Sequence, residues 1–215
     1  MNGLRRMLFA PCAALCFTLA LAQCAQAQQG GNFRAEAAQF LAGHEPQLQQ
    51  LQQADQRSQR LHLLLYLTPA AMYAGAAGKA AAYARELMAL GEKLKASPGF
   101  GPGLYGDAVH VGNLVLGRLA LLGGDVGKAK EHLLAAGRVP GSPTLMSFGP
   151  NMLLASELIE RGERDAAVAY LDLCAKFWQK EGGKIEGWKG VIREGGMPNF
   201  GANLGYKLLT WRFAE

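Results

Sequence analysis

The sequence predicts an all-α fold, a short α-solenoid of antiparallel helix pairs, on three observations. Alanine and leucine, both good helix formers, dominate the chain beyond its N-terminal segment, and the alternating valine, isoleucine and threonine patterns of strands are missing. Apolar residues recur at helical spacing in segments separated first by a short turn and then by a longer loop. One helix–turn–helix unit also matches another. Laying Asn113–Arg138 on Asn151–Lys176, a shift of 38 residues, pairs Asn113 with Asn151, Gly124 with Gly162, Ala129 with Ala167 and Leu133 with Leu171.

The first segment stands apart from this pattern. Arg5 and Arg6 precede an apolar stretch from Met7 to Ala22, and Ala25-Gln26-Ala27 follows as a small-x-small cleavage pattern. Residues 1–27 therefore read as a secretory signal peptide, interrupted at Pro11 and too short for a membrane span. Leu21-Ala22-Gln23-Cys24 resembles a lipoprotein cleavage box, but Gln23 is bulky where a small residue is required, which argues against a lipid anchor at Cys24. Cleavage after Ala27 removes Cys12, Cys16 and Cys24. Cys174 remains, so no internal disulfide is expected. Cleavage also removes two of the 22 Lys+Arg residues, set against 17 Asp+Glu. The remaining positive excess is too small to predict a nucleic-acid partner. The mature chain is expected to be periplasmic or secreted, with no membrane span.

The elements then follow in order. Residues 28–59 form N-terminal helices or a cap, with Asn32 capping a helix over 33–43 and Pro46 restarting the chain. A long helix runs from Gln47 to near Gly75, with a kink or break at Thr68-Pro69. A second covers about Lys79 to Ala96. Ser97–Asp107, "SPGFGPGLYGD", reads as a loop by its glycines and prolines, ending in Asp107 as N-cap of the next helix. Gly123-Gly124-Asp125 turns the chain into "VGKAKEHLLAAG", and Arg138–Gly149 is a further loop. Pro150 suits the first turn of the following helix, which pairs with "RDAAVAYLDLCAKFWQK". The helical repeats thus occupy 60–180. A glycine-rich loop from Gly182 to Gly201 and a capping helix over Asn203–Phe213 complete 181–215.

The repeat has a specific likeness. Leu116-Gly117 matches the Leu-Gly pair of tetratricopeptide repeats, and Ala129-x3-Leu133 matches their Ala-x3-aromatic pair with leucine in place of the ring. Ala136 takes the later small position and Pro140 falls near the terminal proline. The opening tryptophan is replaced by Asn113 and the later tyrosine by Ala120, and the period exceeds the usual ~34 residues. The chain thus resembles a degenerate tetratricopeptide-repeat protein over Arg60–Lys180. That resemblance implies a right-handed solenoid whose leading helices line a concave surface. "GNLVLGRLAL", "SFGPNM" and "PNFGANL" also resemble an exported bacterial family of unassigned role, which implies no activity.

No arrangement of residues predicts catalysis, a metal or a cofactor. HExxH, Walker and GxSxG motifs are missing, and His44, His62, His110 and His132 are not spaced as ligands. Gly99-x-Gly101-x-Gly103 follows no strand and is not a dinucleotide fingerprint. Cys174 takes a small position at a helix interface and reads as a buried, inert thiol.

The candidate ligand residues are amides and their neighbours. Asn113, Asn151 and Asn203 each precede an apolar run, and Phe148-Gly149-Pro150-Asn151-Met152 has a near copy in Phe200-Gly201-Ala202-Asn203-Leu204. A row of amides on a concave face would pair with the backbone of an extended peptide, the partner being a peptide, a protein or an envelope polymer. His110, Ser147, Phe148, Trp188 and Phe200 would complete that groove. Two alternatives stand beside this one. Asparagines near helix starts satisfy free N–H groups without any ligand. An enzyme of unrecognised type would instead gather His110, Asn113, Ser147, Asn151, Trp188 and Asn203 into one pocket.

Overall fold

The computed structural model describes residues 32–96, 101–206 and 208–213. Residues 1–27, expected to be a signal peptide, lie outside the described residues, and Cys24 and the expected cleavage point with them. Among the described residues are nine α-helices, packed sequentially with contacts between neighbouring helices. Helix α1 covers 32–50, α2 Arg57–Tyr73, α3 Ala77–Leu94, α4 Gly101–Leu122 and α5 Val126–Gly137. Next come α6 (Pro143–Phe148), α7 (Leu153–Glu160), α8 (Arg164–Cys174) and α9 (Lys184–Arg193). Two 3-10 turns, Gly201–Leu204 and Thr210–Phe213, close the chain. No helix among the described residues is long and apolar enough to cross a membrane.

The pairing of helices rests on a repeated C-terminal cap. Gly75, Gly124 and Gly162 end α2, α4 and α7 at φ +78°, +84° and +85°. In each case the following N–H reaches back across the last turn: Ala76 to Ala71 O, Asp125 to Ala120 O and Glu163 to Leu158 O, at 2.9–3.0 Å. This is the Schellman arrangement, which needs a left-handed residue and therefore favours glycine. It reverses the chain within two or three residues, so each helix folds back on the one before. Small residues then set the approach. Ala84, Ala108, Ala129, Ala136, Ala155 and Ala167 are fully buried between the paired helices. Burial raises the Cys174 thiol pKa, so it stays protonated.

Several boundaries differ from the sequence expectation, each for a packing reason. α1 passes through Pro46 and ends at 50, and the long helix expected from Gln47 is broken at 51–53 before α2 begins. Pro69 lies inside α2 without ending it. The expected loop Ser97–Asp107 is helical from Gly101 onward. Gly103 and Gly106 serve close approach rather than turning: a Cβ at Gly103 would lie 2.7 Å from Pro143 Cδ, and one at Gly106 would strike the carbonyl oxygen of Gly141. Asp107 is therefore no cap. It sits inside α4, where its carboxylate accepts from Ser142 Oγ at 2.7 Å and Thr144 Oγ1 at 3.1 Å, fastening α6 to α4.

The later expectations change in the same way. The loop expected over Arg138–Gly149 contains α6, begun by Ser142 as N-cap and Pro143 in the first turn. Pro150 precedes α7 rather than opening it. Within the glycine-rich tail lies α9, and in place of a helix over Asn203–Phe213 there are the two 3-10 turns.

The tail then returns over the first helices. Trp211 is buried against Phe33 (5.4 Å between ring centroids), Phe40 (5.8 Å) and Tyr73 (6.4 Å). Arg212 pairs with Glu36 at 2.9 Å. The half-buried Arg118 on α4 forks onto Glu157 of α7, at 2.6–3.1 Å, and lies over the Tyr73 ring. Arg118 thereby joins α2, α4 and α7.

Two glycine substitutions separate packing from propensity. Gly149 has φ +87°, and a Cβ there would strike the Trp178 indole. Gly149→Ala is expected to cost about 2 kcal/mol or more in chemical denaturation. Gly187, inside α9 with open space where a Cβ would go, is expected to gain about 0.5–1 kcal/mol on substitution by alanine.

Candidate functional site

The two copies of the FG[PA]N motif meet. Asn151 Nδ2 donates to Leu204 O (2.9 Å) and Tyr206 O (2.7 Å), while Asn203 Nδ2 donates to Phe148 O (3.0 Å) and Pro150 O (2.8 Å). The Met152 N–H donates to Asn203 O at 2.8 Å. Each amide thus closes on backbone carbonyls of the other motif, and five hydrogen bonds fasten the tail to the junction between α6 and α7. Asn151 spends its remaining groups as well. Its Oδ1 accepts from the Leu153 N–H at the start of α7, and its C=O accepts from Tyr170 Oη, both at 2.9 Å. Its own N–H donates to His110 Nε2 at 3.2 Å.

That last bond settles the state of His110. Nε2 must be the acceptor, so the proton of the neutral ring is on Nδ1, which donates to Ala136 O at 2.9 Å. The ring is fully buried and bridges α4, the end of α5 and the residue before α7.

The remaining predicted residues fall into two groups. Ser147, Phe148 and Asn203 line a recess of about 530 Å³ beside the clasp. Trp188 and Phe200 stand behind it, packed edge to face at 5.0 Å. Trp188 lies 5.6 Å from Trp178 and donates Nε1–H to Asn199 O. Asn113 is elsewhere. It lies in the middle of α4, where Nδ2 donates to Val109 O at 2.9 Å and Oδ1 accepts from His132 Nδ1 at 2.9 Å. The expected row of three amides therefore divides, with two in the clasp and one facing α5.

The recess has a distinct chemistry. Its walls are Phe148, which is 63% exposed, Tyr206 at 5.5 Å from that ring, Trp178, Leu209 and Ala202. Its cations are Lys180 and Lys184, both exposed, the latter 5.5 Å from the centre of the Trp178 ring. Among the described residues no aspartate or glutamate lines it. Ser147 and Thr210 add hydroxyls. Asn203 presents the one amide atom the clasp leaves over, since among the described residues nothing donates to its Oδ1. Burial pushes the Tyr206 phenol up to about 12, so it stays protonated and uncharged.

Sequence reasoning missed Trp178, Lys180, Lys184 and Tyr206. The available signal was proximity: Tyr206 follows the second motif by two residues, and a duplicated motif that pairs with itself brings its flanks together. Compared with known proteins, the chain matches no protein-family model, no curated protein and no solved structure. The fold alone defines its class, an all-α protein of sequentially packed helices.

The clasp carries a stability prediction. Asn203→Ala strands the carbonyl of Pro150, in a buried bond, and that of Phe148, in a part-buried one, and is expected to lower the unfolding free energy by about 1–3 kcal/mol. Asn199→Ala, which removes only an exposed bond to the Gly201 N–H, is expected to cost under about 1 kcal/mol in the same urea titration.

Proposed function

We propose that the protein is an exported, tetratricopeptide-like binding module and that its ligand is the C-terminal end of a peptide or protein. The helix pairs with their repeated glycine caps support the solenoid reading. The basic, apolar, small-x-small N-terminal sequence supports export. This reading puts the ligand in the recess beside the clasp, which Phe148, Asn203 and Tyr206 line.

The single observation that carries the ligand class is that the described lining pairs an aromatic wall with two lysines and holds no acidic residue. A peptide terminus supplies the complementary groups in one residue. Its carboxylate meets Lys180 and Lys184, its apolar side chain packs on Phe148, Trp178 and Tyr206, and its amide N–H donates to Asn203 Oδ1. Such recognition reads the chain end and one side chain, leaving the rest of the partner free to vary. The recess volume of about 530 Å³ is the size of a small binding pocket and suits one or two residues.

Titration of Trp178 fluorescence with short peptides ending in leucine or phenylalanine tests this directly. A free C-terminus is expected to bind at least about ten-fold more tightly than the same peptide amidated. Lys180→Gln with Lys184→Gln should erase that difference and flatten the salt dependence. Equal binding of free and amidated peptides would overturn the proposal. So would a simple hydrophobic carboxylic acid binding as tightly as the peptide, which would make the ligand a free organic acid.

A further inference from the structure

A second recess, of about 420 Å³, lies between α3, α4 and the start of α5, lined by a different set of charged groups. Arg85 of α3 and Lys128 of α5 supply two exposed cations, and His132 of α5 supplies an imidazole. Leu116, Leu119 and Ala120 of α4 form an apolar wall. The one acid in the lining, Asp125, is engaged as the cap of α5, accepting the Lys128 backbone N–H at 2.9 Å.

The orientation of His132 is built in. Asn113 Nδ2 is committed to Val109 O, so the atom it turns toward His132 is its oxygen. An oxygen there requires a proton on His132 Nδ1. The neutral ring therefore carries its lone pair on Nε2. His132 lines the recess and Asn113 does not, which leaves Nε2 as the ring nitrogen available to a ligand there. A buried amide fixing a histidine tautomer is the arrangement that aims the second nitrogen at a ligand.

We propose that this recess binds the phosphate group of a small phosphomonoester, with His132 taking a proton from solvent as the anion enters. Arg85 offers the planar fork suited to phosphate oxygens, and Lys128 adds a point charge. His132 Nε2 accepts the proton and donates it as a hydrogen bond to a phosphate oxygen, while Nδ1–H stays on Asn113. The empty site favours the neutral ring: burial, with the charges of Lys128 and Arg85, lowers its pKa below the usual histidine value, and Glu131 opposes them only in part. An entering dianion offsets those charges and reverses the balance. The apolar wall of α4 leaves room for a short organic body.

Calorimetry on the intact chain with glycerol phosphate, in two buffers of different ionisation enthalpy, reads both binding and proton uptake. Binding is expected to tighten from about pH 8 to about pH 7, with net proton uptake across that interval, above the pH at which the phosphate itself protonates. Arg85→Gln with Lys128→Gln should weaken it about ten-fold or more. His132→Asn keeps a donor toward Asn113, so it should leave a weaker site that takes up no proton through His132. Its unfolding transition checks that the fold is retained. Three results would each overturn the proposal: no binding of glycerol phosphate at millimolar concentration, proton uptake unchanged in His132→Asn, or succinate binding as tightly as the phosphate. None of them bears on the peptide-end reading, which concerns other residues.

Discussion

The structure depends on a reciprocal pair of side-chain amides. A chain of helix hairpins can stack indefinitely, and its last hairpin presents an apolar face with nothing to cover it. Here the chain covers itself, because Asn151 and Asn203 each bond to backbone carbonyls of the other's segment. A single side-chain amide has two N–H groups, and both asparagines use both. Buried carbonyls at irregular turns would otherwise go unpaired, at a cost comparable to that of a lost hydrogen bond each. The clasp therefore satisfies two non-helical segments at once, and it does so where neither segment can satisfy itself.

Two consequences reach outward from that junction. Inward, His110 receives the Asn151 N–H and passes the connection to the end of α5, so the clasp is anchored in the middle of the helix stack. Outward, it brings Phe148 and Tyr206 to 5.5 Å between ring centroids, beside Asn203 in the lining of the recess. Trp178 lies flat behind Gly149, where a side chain would collide with it. The recess is thus the outer side of a structural fastening. Its rigidity comes from the hydrogen bonds of the clasp, and its chemistry from residues on the flanks, chiefly Lys180 and Lys184. The fold and the proposed binding site use one motif pair for different purposes.

The helical class and the three hairpins were legible because their signals are local. Leucine and alanine at helical spacing, and a glycine at each reversal, act within a few residues. The segments 101–107, 143–148 and 184–193 were not legible as helices, because their glycines and prolines are also the marks of loops. At Gly103 and Gly106 the reason for glycine is a neighbouring chain segment some forty residues away, which no local window contains. The asparagines show the same limit more sharply. Asn113, Asn151 and Asn203 look alike in sequence, each before an apolar run. One orients His132 from mid-helix, and the other two interlock across 53 residues. Their duplication pointed to importance, while the partner of each amide was set by where the chain returned.

A double-mutant cycle at Asn151 and Asn203 tests the clasp most directly. Unfolding free energies are measured by urea denaturation for the parent chain, Asn151→Ala, Asn203→Ala and the double variant. If the two motifs fasten one another as a unit, the double variant loses less than the sum of the singles, by about 1 kcal/mol or more. Additivity to within about 0.3 kcal/mol would mean that the two asparagines act independently, and the account of the tail as a reciprocal closure would be contradicted.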